Sequence, residues 1–170
     1  MSKKYCGYVS IIGKPNVGKS SIINAILKKK VSITSRKSQT TRNNILGIKT
    51  TDNKQAIFID TPGLHIKSQK TMNKILNKSA QSIIEDSDIV LFVVQRLSIT
   101  EEDHAILSKL KETNPFSICV INKIDQISDK QRLLPFIEKI SDEYNFASII
   151  PISAKTNQNL QDLINKIEEH

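Results

Sequence analysis

Ile89-Val90-Leu91-Phe92-Val93-Val94 is an unbroken apolar run, and it restricts the architecture more than any other stretch. A strand that is apolar on both sides must be covered on both faces, which happens in parallel sheets packed between two layers of helices. Candidate helices follow from spacing. Ile22, Ile23, Ile26 and Leu27 recur on one helical face, as do Met72, Ile75, Leu76, Ala80, Ile83 and Ile84 between Thr71 and Glu85. Thr100-x-x-Asp103, Ser128-x-x-Gln131 and Asn159-x-x-Asp162 each resemble a capping box and open three further helices. Leu133, Phe136, Ile137, Ile140 and Tyr144 line the second of these, and Leu160, Leu163, Ile164 and Ile167 the third. The remaining strands are Tyr8–Ile12, Ile45–Thr50, Gln55–Asp60, Ser117–Asn122 and Ser148–Ser153, while polar Val31–Asn44 reads as a loop. The short link Thr51–Lys54 makes Ile45–Thr50 and Gln55–Asp60 an antiparallel pair. Strand and helix alternate after it. The expectation is an α/β three-layer domain whose sheet has about six strands, mostly parallel with one antiparallel edge strand.

Such sheets bind ligands beyond the carboxyl ends of their strands, and four polar clusters fall there. Gly13-Lys14-Pro15-Asn16-Val17-Gly18-Lys19-Ser20 matches G-x-x-x-x-G-K-[ST] between a strand and a helix. This is the context of a phosphate-binding loop, in which glycines let backbone N–H groups converge on phosphate oxygens at a helix N-terminus. Lys19 would reach the outer phosphates and Ser20 would ligate Mg²⁺, with Ser21 following in the helix. Asp60, ending a strand, is the acidic residue expected to help hold Mg²⁺ through a water. Gly63, after Thr61 and Pro62, can bring its N–H to the terminal phosphate, so Leu64 to about Gln69 reads as a switch that loses its anchor on hydrolysis.

Asn122-Lys123-x-Asp125 supplies the base reader. A carboxylate at Asp125 accepts from both the ring N–H and the exocyclic amine of guanine, whereas adenine lacks these donors on that edge. A buried acceptor left unpaired is costly, so the site selects GTP over ATP. Lys123 is expected along the base plane, Asn122 tying the loops together, and the Ala154 N–H, within Ser153-Ala154-Lys155, on the guanine carbonyl oxygen.

Net charge is +8, with 25 Lys and Arg against 17 Asp and Glu. Nucleic-acid contact and accommodation of a polyanionic nucleotide both fit this excess, and charge without a groove-reading or aromatic motif does not separate them. Cys6 and Cys119 lie far apart, with Cys119 in an apolar run, and are expected to be reduced thiols. No apolar stretch reaches the ~20 residues that cross a bilayer, and Met1–Tyr5 runs straight into a strand, so the expectation is a soluble cytoplasmic domain.

Together these four clusters resemble the guanine-nucleotide motifs of the translation-factor-related GTPases, a three-layer fold of the Ras-like G-domain kind. Ser32-Ile33-Thr34-Ser35-Arg36-Lys37-Ser38-Gln39-Thr40-Thr41-Arg42 and Asp60-Thr61-Pro62-Gly63-Leu64-His65 closely resemble the Era family of bacterial ribosome-assembly GTPases, and Tyr144-Asn145-Phe146 and Ile150–Ala154 fit as well. The resemblance implies GTP hydrolysis in biogenesis of the small ribosomal subunit, with GTP/GDP, 16S rRNA and that subunit as partners and peripheral membrane association in the family. It implies that Thr41, or else Thr40, closes over Mg²⁺ and the terminal phosphate. Leu64 stands where small signalling GTPases use a glutamine to orient water, so intrinsic hydrolysis is expected to be slow. In related families an asparagine at the position of Asn16 helps bind K⁺, which serves like an arginine finger; an asparagine in such a loop equally stabilises the turn. Lys19, Thr41, Gly63 and Asn16 are thus the candidate catalytic set. Era proteins carry a KH RNA-binding domain after the GTPase domain, and no G-x-x-G loop in a KH context occurs here. The expectation is therefore a single G domain over residues 1–170. Competing readings are a GTPase of the tRNA-modification or tandem-domain type, whose switch usually reads Gly-Thr-Thr-Arg-Asp against Gln39–Asn43 here, a P-loop kinase or ATPase, and an RNA-binding module with a vestigial nucleotide site.

Overall fold

The computed structural model describes residues 3–28, 44–60 and 82–170. Its elements in chain order are β1 (Tyr5–Ile12), α1 (Lys19–Leu27), β2 (Asn44–Thr51), β3 (Lys54–Asp60), β4 (Ile89–Gln95), α2 (Glu101–Thr113), β5 (Ser117–Asn122), α3 (Leu133–Glu143), β6 (Ser148–Pro151) and α4 (Leu160–Glu169). The strands form one sheet in the order β2-β3-β1-β4-β5-β6. Only the β2/β3 pair is antiparallel in that sheet, with a register shift between Ile45 and Gly47. This is the expected architecture.

The β4 run divides its side chains between two cores. Ile89, Leu91 and Val93 join Val9, Ile11, Phe58, Ile118 and Val120 against Ile22, Ile23 and Ile26 of α1 and Leu163, Ile164 and Ile167 of α4. Val90, Phe92 and Val94 point the other way, joining Cys119 and Ile121 against Ile106, Leu107 and Leu110 of α2 and Phe136 and Ile140 of α3. Each fully buried aliphatic or aromatic side chain contributes about 1.5–3 kcal/mol. Two helix layers around β4 are therefore what makes a continuous apolar strand stable. Burial pushes the Cys119 thiol far above its ordinary range, with the Asp103 charge adding to the effect, so it is an inert core group. Cys6 is an exposed free thiol.

Several boundaries differ from the sequence expectation. β1 begins at Tyr5, three residues before the apolar alternation starts, because Tyr5–Tyr8 pair with Lys54–Ile57 even while largely exposed. β6 ends at Pro151, although the Ile152 N–H still donates to the Ile121 carbonyl at 2.8 Å, and Ser153 belongs to the following loop. Ser128 does not open α3. Asp129 accepts from the Gln131 N–H at 3.0 Å and starts a 3-10 turn, Lys130–Arg132, that leads into the helix. Asn159 does not cap α4 with its side chain either; it has φ 54° and donates to the Pro151 carbonyl at 2.8 Å. Thr100 and Asp103 do form a capping box. Of the helix expected over Thr71–Glu85, residues 82–85 are helical and the rest lies outside the described residues.

Register sets the ligand face. Asp60 pairs with Ile11, two residues before Gly13, and Gln95 at the end of β4 pairs with Asn122 at the end of β5. The carboxyl ends of β1, β3, β4 and β5 therefore lie side by side.

Candidate nucleotide-binding site

The loop between β1 and α1 depends on two glycines. Gly13 has φ +148°, and a Cβ there would lie 2.5 Å from the Val93 carbonyl oxygen. Gly18 has φ +101°, and a Cβ there would lie 2.3 Å from Asn122 Nδ2. Any larger residue would clash and be strained at either place. Gly18 is also the N-cap of α1, and its carbonyl accepts the Ile22 N–H at 2.9 Å. No side chain caps the helix and no acidic residue occupies its first turn. The leading N–H groups and the positive dipole end are thus left for an anion. Ser20 and Ser21 are exposed in that turn, Val17 is fully buried beneath it, and Pro15 and Asn16 are exposed on the loop.

The two lysines diverge. Lys19 Nζ donates to the carbonyls of Gly13 at 2.6 Å and Lys14 at 2.9 Å, curling over the loop's own backbone. Lys14 Nζ instead donates to Asp103 Oδ2 at 2.9 Å and Thr100 Oγ1 at 3.2 Å, so only the backbone of Lys14 faces the loop.

The residues expected to read the base lock onto the same loop. Asn122, 2% exposed, donates from Nδ2 to the Val17 carbonyl at 2.9 Å and accepts the Ala154 N–H on Oδ1 at 3.1 Å. One side chain thus joins three loops, as expected. The Ala154 N–H, expected on the guanine oxygen, is here engaged by Asn122. Lys123, at φ 64°, donates to the Asn16 carbonyl at 2.5 Å and to Gln95 Oε1 at 2.6 Å. Ser153, fully buried, donates to Asp125 Oδ1 at 2.7 Å. That hydrogen bond, above all, holds the Asp125 carboxyl below its usual range; desolvation is the next largest effect and opposes it, while a backbone N–H and the charges of Lys155 and Lys130 help it. Asp125 is exposed and ionised at neutral pH, ready to accept two hydrogen bonds.

Gly18, Asn122, Lys123, Asp125, Ala154 and Lys155 line a cavity of about 640 Å³. A volume of several hundred Å³ suits a drug-sized or nucleotide ligand. Ser21, Asn24, Ala25, Lys28, Gln126 and Asn157 complete its wall. Of these only Ser21 adjoins a motif, directly after Ser20; the others are ordinary helix and loop residues that reach the cavity by position alone. Gln95 was likewise unmarked, and its only sequence signal is its place at the end of β4.

The oxygen-only donors here suit Mg²⁺: the exposed Ser20 hydroxyl on the first turn of α1, and Asp60, whose backbone ends β3 beside Ile11. Asn16 has φ 64°, a conformation asparagine tolerates well, and its side chain has no hydrogen-bond partner among the described residues. Thr40, Thr41, Thr61, Pro62, Gly63 and Leu64 lie outside the described residues. Among the described residues no helix is long and apolar enough to cross a membrane.

Residues 8–123 match the family model described as 50S ribosome-binding GTPase. GTPase Era of Actinobacillus pleuropneumoniae serotype 5b is 47% identical over 167 residues, covering 96% of this chain and 55% of that protein. GTPase Era of Pasteurella multocida is 44% identical over 168 residues, again with 55% of its length covered. The chain thus spans about half the length of the curated relatives it matches. Among solved structures, Era in complex with MgGDPNP and nucleotides 1506–1542 of 16S ribosomal RNA superposes with a TM-score of 0.80 at 38% identity, over 98% of this chain and 56% of that one. An Aquifex aeolicus Era variant bound to GDP·AlF₄⁻ gives 0.80 at 39% identity, over 95% and 56%. A model match over residues 8–123 of 170, on this sheet order and this site, means that the chain belongs to the 50S ribosome-binding GTPase family.

Proposed function

We propose that this chain binds GTP and hydrolyses it to GDP and phosphate, as the switch of a cytoplasmic factor that acts on 16S rRNA in small-subunit assembly. The observation that carries the nucleotide reading is Asp125, an exposed carboxylate that accepts from the Ser153 hydroxyl at 2.7 Å, beside a cavity that continues to the phosphate loop. An ionised acceptor pair at that point favours guanine over adenine. The ribosomal part rests on likeness to Era, whose solved complex contains both MgGDPNP and 16S rRNA nucleotides.

Within this reading Gly13–Ser21 binds the phosphates through backbone N–H groups, and Lys19 leaves its two loop carbonyls to reach the outer phosphates. Asn122 and Lys123 keep the loop and the base pocket in register, while Ser153, Ala154 and Lys155 wall the base. Ser20 and Asp60, with Thr41, would hold Mg²⁺, which neutralises charge developing on the phosphate oxygens. Thr61, Pro62 and Leu64 would belong to the nucleotide-binding set, Gly63 would contact the terminal phosphate, and Leu64 to about Gln69 would be the switch. Leu64 offers no group to orient water, so the missing catalytic charge comes from elsewhere. Asn16, exposed on the loop at φ 64°, is the residue through which a K⁺ ion would be held in this reading.

Multiple-turnover hydrolysis of GTP and ATP with Mg²⁺, run in K⁺ and in Na⁺, tests the reading. GTP turnover well above ATP turnover is expected, with stimulation by K⁺ that disappears in Asn16→Ala. Equal use of ATP would overturn the guanine assignment, and equal rates in the two salts would remove the K⁺ role alone.

A further inference from the structure

Lys14 occupies one of the positions that the loop motif leaves open, and what its side chain does is decided 89 residues away. Its ammonium is held at 2.9 Å by Asp103 Oδ2 and at 3.2 Å by Thr100 Oγ1. Lys14 is 9% exposed and Asp103 is fully buried. The same Asp103 oxygen accepts the Thr100 backbone N–H and the Thr100 hydroxyl, each at 2.9 Å, so one atom closes the α2 capping box and binds the lysine. Asp103 Oδ1 is buried with no hydrogen-bond partner among the described residues.

Such a pair is a weak source of stability. Well-packed apolar side chains of similar volume often serve as well or better, because both charges lose their hydration and one carboxylate oxygen here recovers nothing. What a charged pair adds is direction. The Lys14 carbonyl accepts Lys19 Nζ at 2.9 Å, so the position of the Lys14 backbone sets where the phosphate-seeking lysine starts. The first turn of α2, carrying Glu101, Glu102 and Asp103 at the positive end of its dipole, is a rigid anchor for that tie.

We propose that Asp103 is a positioning residue for the phosphate loop: by holding the Lys14 ammonium at the start of α2 it fixes the Lys14 backbone beneath Lys19 and keeps a second cation out of the phosphate position. The inference rests on the guanine-nucleotide reading of the site. It gives the α2 capping box a second role, in nucleotide retention.

The test is the rate at which a fluorescent GDP analogue is chased from the protein in Mg²⁺ buffer, measured alongside thermal melting. Asp103→Asn leaves Lys14 without its counter-charge and is expected to release GDP about tenfold faster, a difference of one decade in the dissociation constant. An uncompensated buried ammonium also threatens folding, so the double variant Lys14→Met with Asp103→Leu is measured beside it. The apolar pair is expected to recover the melting temperature, with Thr100 still capping α2, while release stays fast because no directional tie remains. Fast release at the wild-type melting temperature supports the assignment. Release at the wild-type rate from the double variant, or from folded Asp103→Asn, overturns it. A wild-type chain that binds no GDP would overturn the functional reading itself, an outcome visible before any variant is compared.

Discussion

The Asn122 side chain donates to the Val17 carbonyl at 2.9 Å, joining the end of β5 to the buried residue under the phosphate loop across 105 positions of sequence. Removing it strands the Val17 oxygen and the Ala154 N–H together, and each unsatisfied buried polar group costs about 1–3 kcal/mol. Asn122→Ala is therefore expected to lower both the melting temperature and the affinity for GDP. Wild-type affinity in a folded Asn122→Ala would show that the phosphate loop holds its shape without this tie.

Asp125 should set the pH behaviour of base recognition. Its carboxyl lies below the ordinary value of 3.8, chiefly through Ser153, so the ionised form that guanine needs is complete at neutral pH and is lost only as pH falls through that lowered value. GDP affinity, measured by calorimetry, should stay level from neutral pH down to about 5. In Ser153→Ala the acid loss should move to higher pH. Asp125→Asn should exchange guanine preference for xanthine, since an amide presents a donor where xanthine carries its second carbonyl.

The glycines predict a graded pair of defects. At Gly13 an added Cβ meets backbone, the Val93 carbonyl oxygen at 2.5 Å, which cannot step aside without moving β4. At Gly18 it meets the Asn122 amide at 2.3 Å, a side chain that can rotate at the cost of its own two hydrogen bonds. A strained left-handed position costs about 1–3 kcal/mol in each case. Gly13→Ala should therefore melt lower than Gly18→Ala, whereas Gly18→Ala should remain foldable and lose nucleotide. The reverse order of melting temperatures would contradict the close approach to β4.

Lys19 donates to two carbonyls of its own loop and must give them up to meet a phosphate. Hydrogen bonds to charged groups are worth about 1.5–3 kcal/mol, which corresponds to about 10- to 150-fold in binding. Lys19→Ala is expected to lose affinity for GTP by that factor while the nucleotide-free protein melts within a few degrees of wild type. Gln95→Leu, which removes one of the two acceptors of Lys123, should weaken GDP binding by a smaller factor, about threefold, through Lys123 alone. No change in affinity for either variant would place both lysines outside nucleotide recognition.

Much of the fold was legible because it follows from local pattern. The unbroken apolar character of Ile89–Val94 required two helix layers, and β4 does divide its side chains between two cores. The short Thr51–Lys54 link required the antiparallel pair, and β2 and β3 form it. Other local signals misled. Asn159-x-x-Asp162 and Ser128-x-x-Gln131 have the composition of capping boxes, yet Asn159 turns to Pro151 and Asp129 displaces Ser128, since several polar residues near a helix start compete for the same N–H groups.

For the site, the sequence alone determined which residue types stand at the strand ends: glycines able to take positive φ, a lysine and serine at a helix start, and an asparagine, lysine and aspartate after β5. Those are properties of single residues and short spacings. Tertiary structure decided which partner each of them meets. Lys14, one motif position away from Gly13, faces Asp103; Lys123 rests on Gln95; Ala154 gives its N–H to Asn122. Each of these contacts joins residues 28 or more positions apart, and hydrogen bonds over such spans form only when sheet register and helix packing bring donor and acceptor to within about 3 Å.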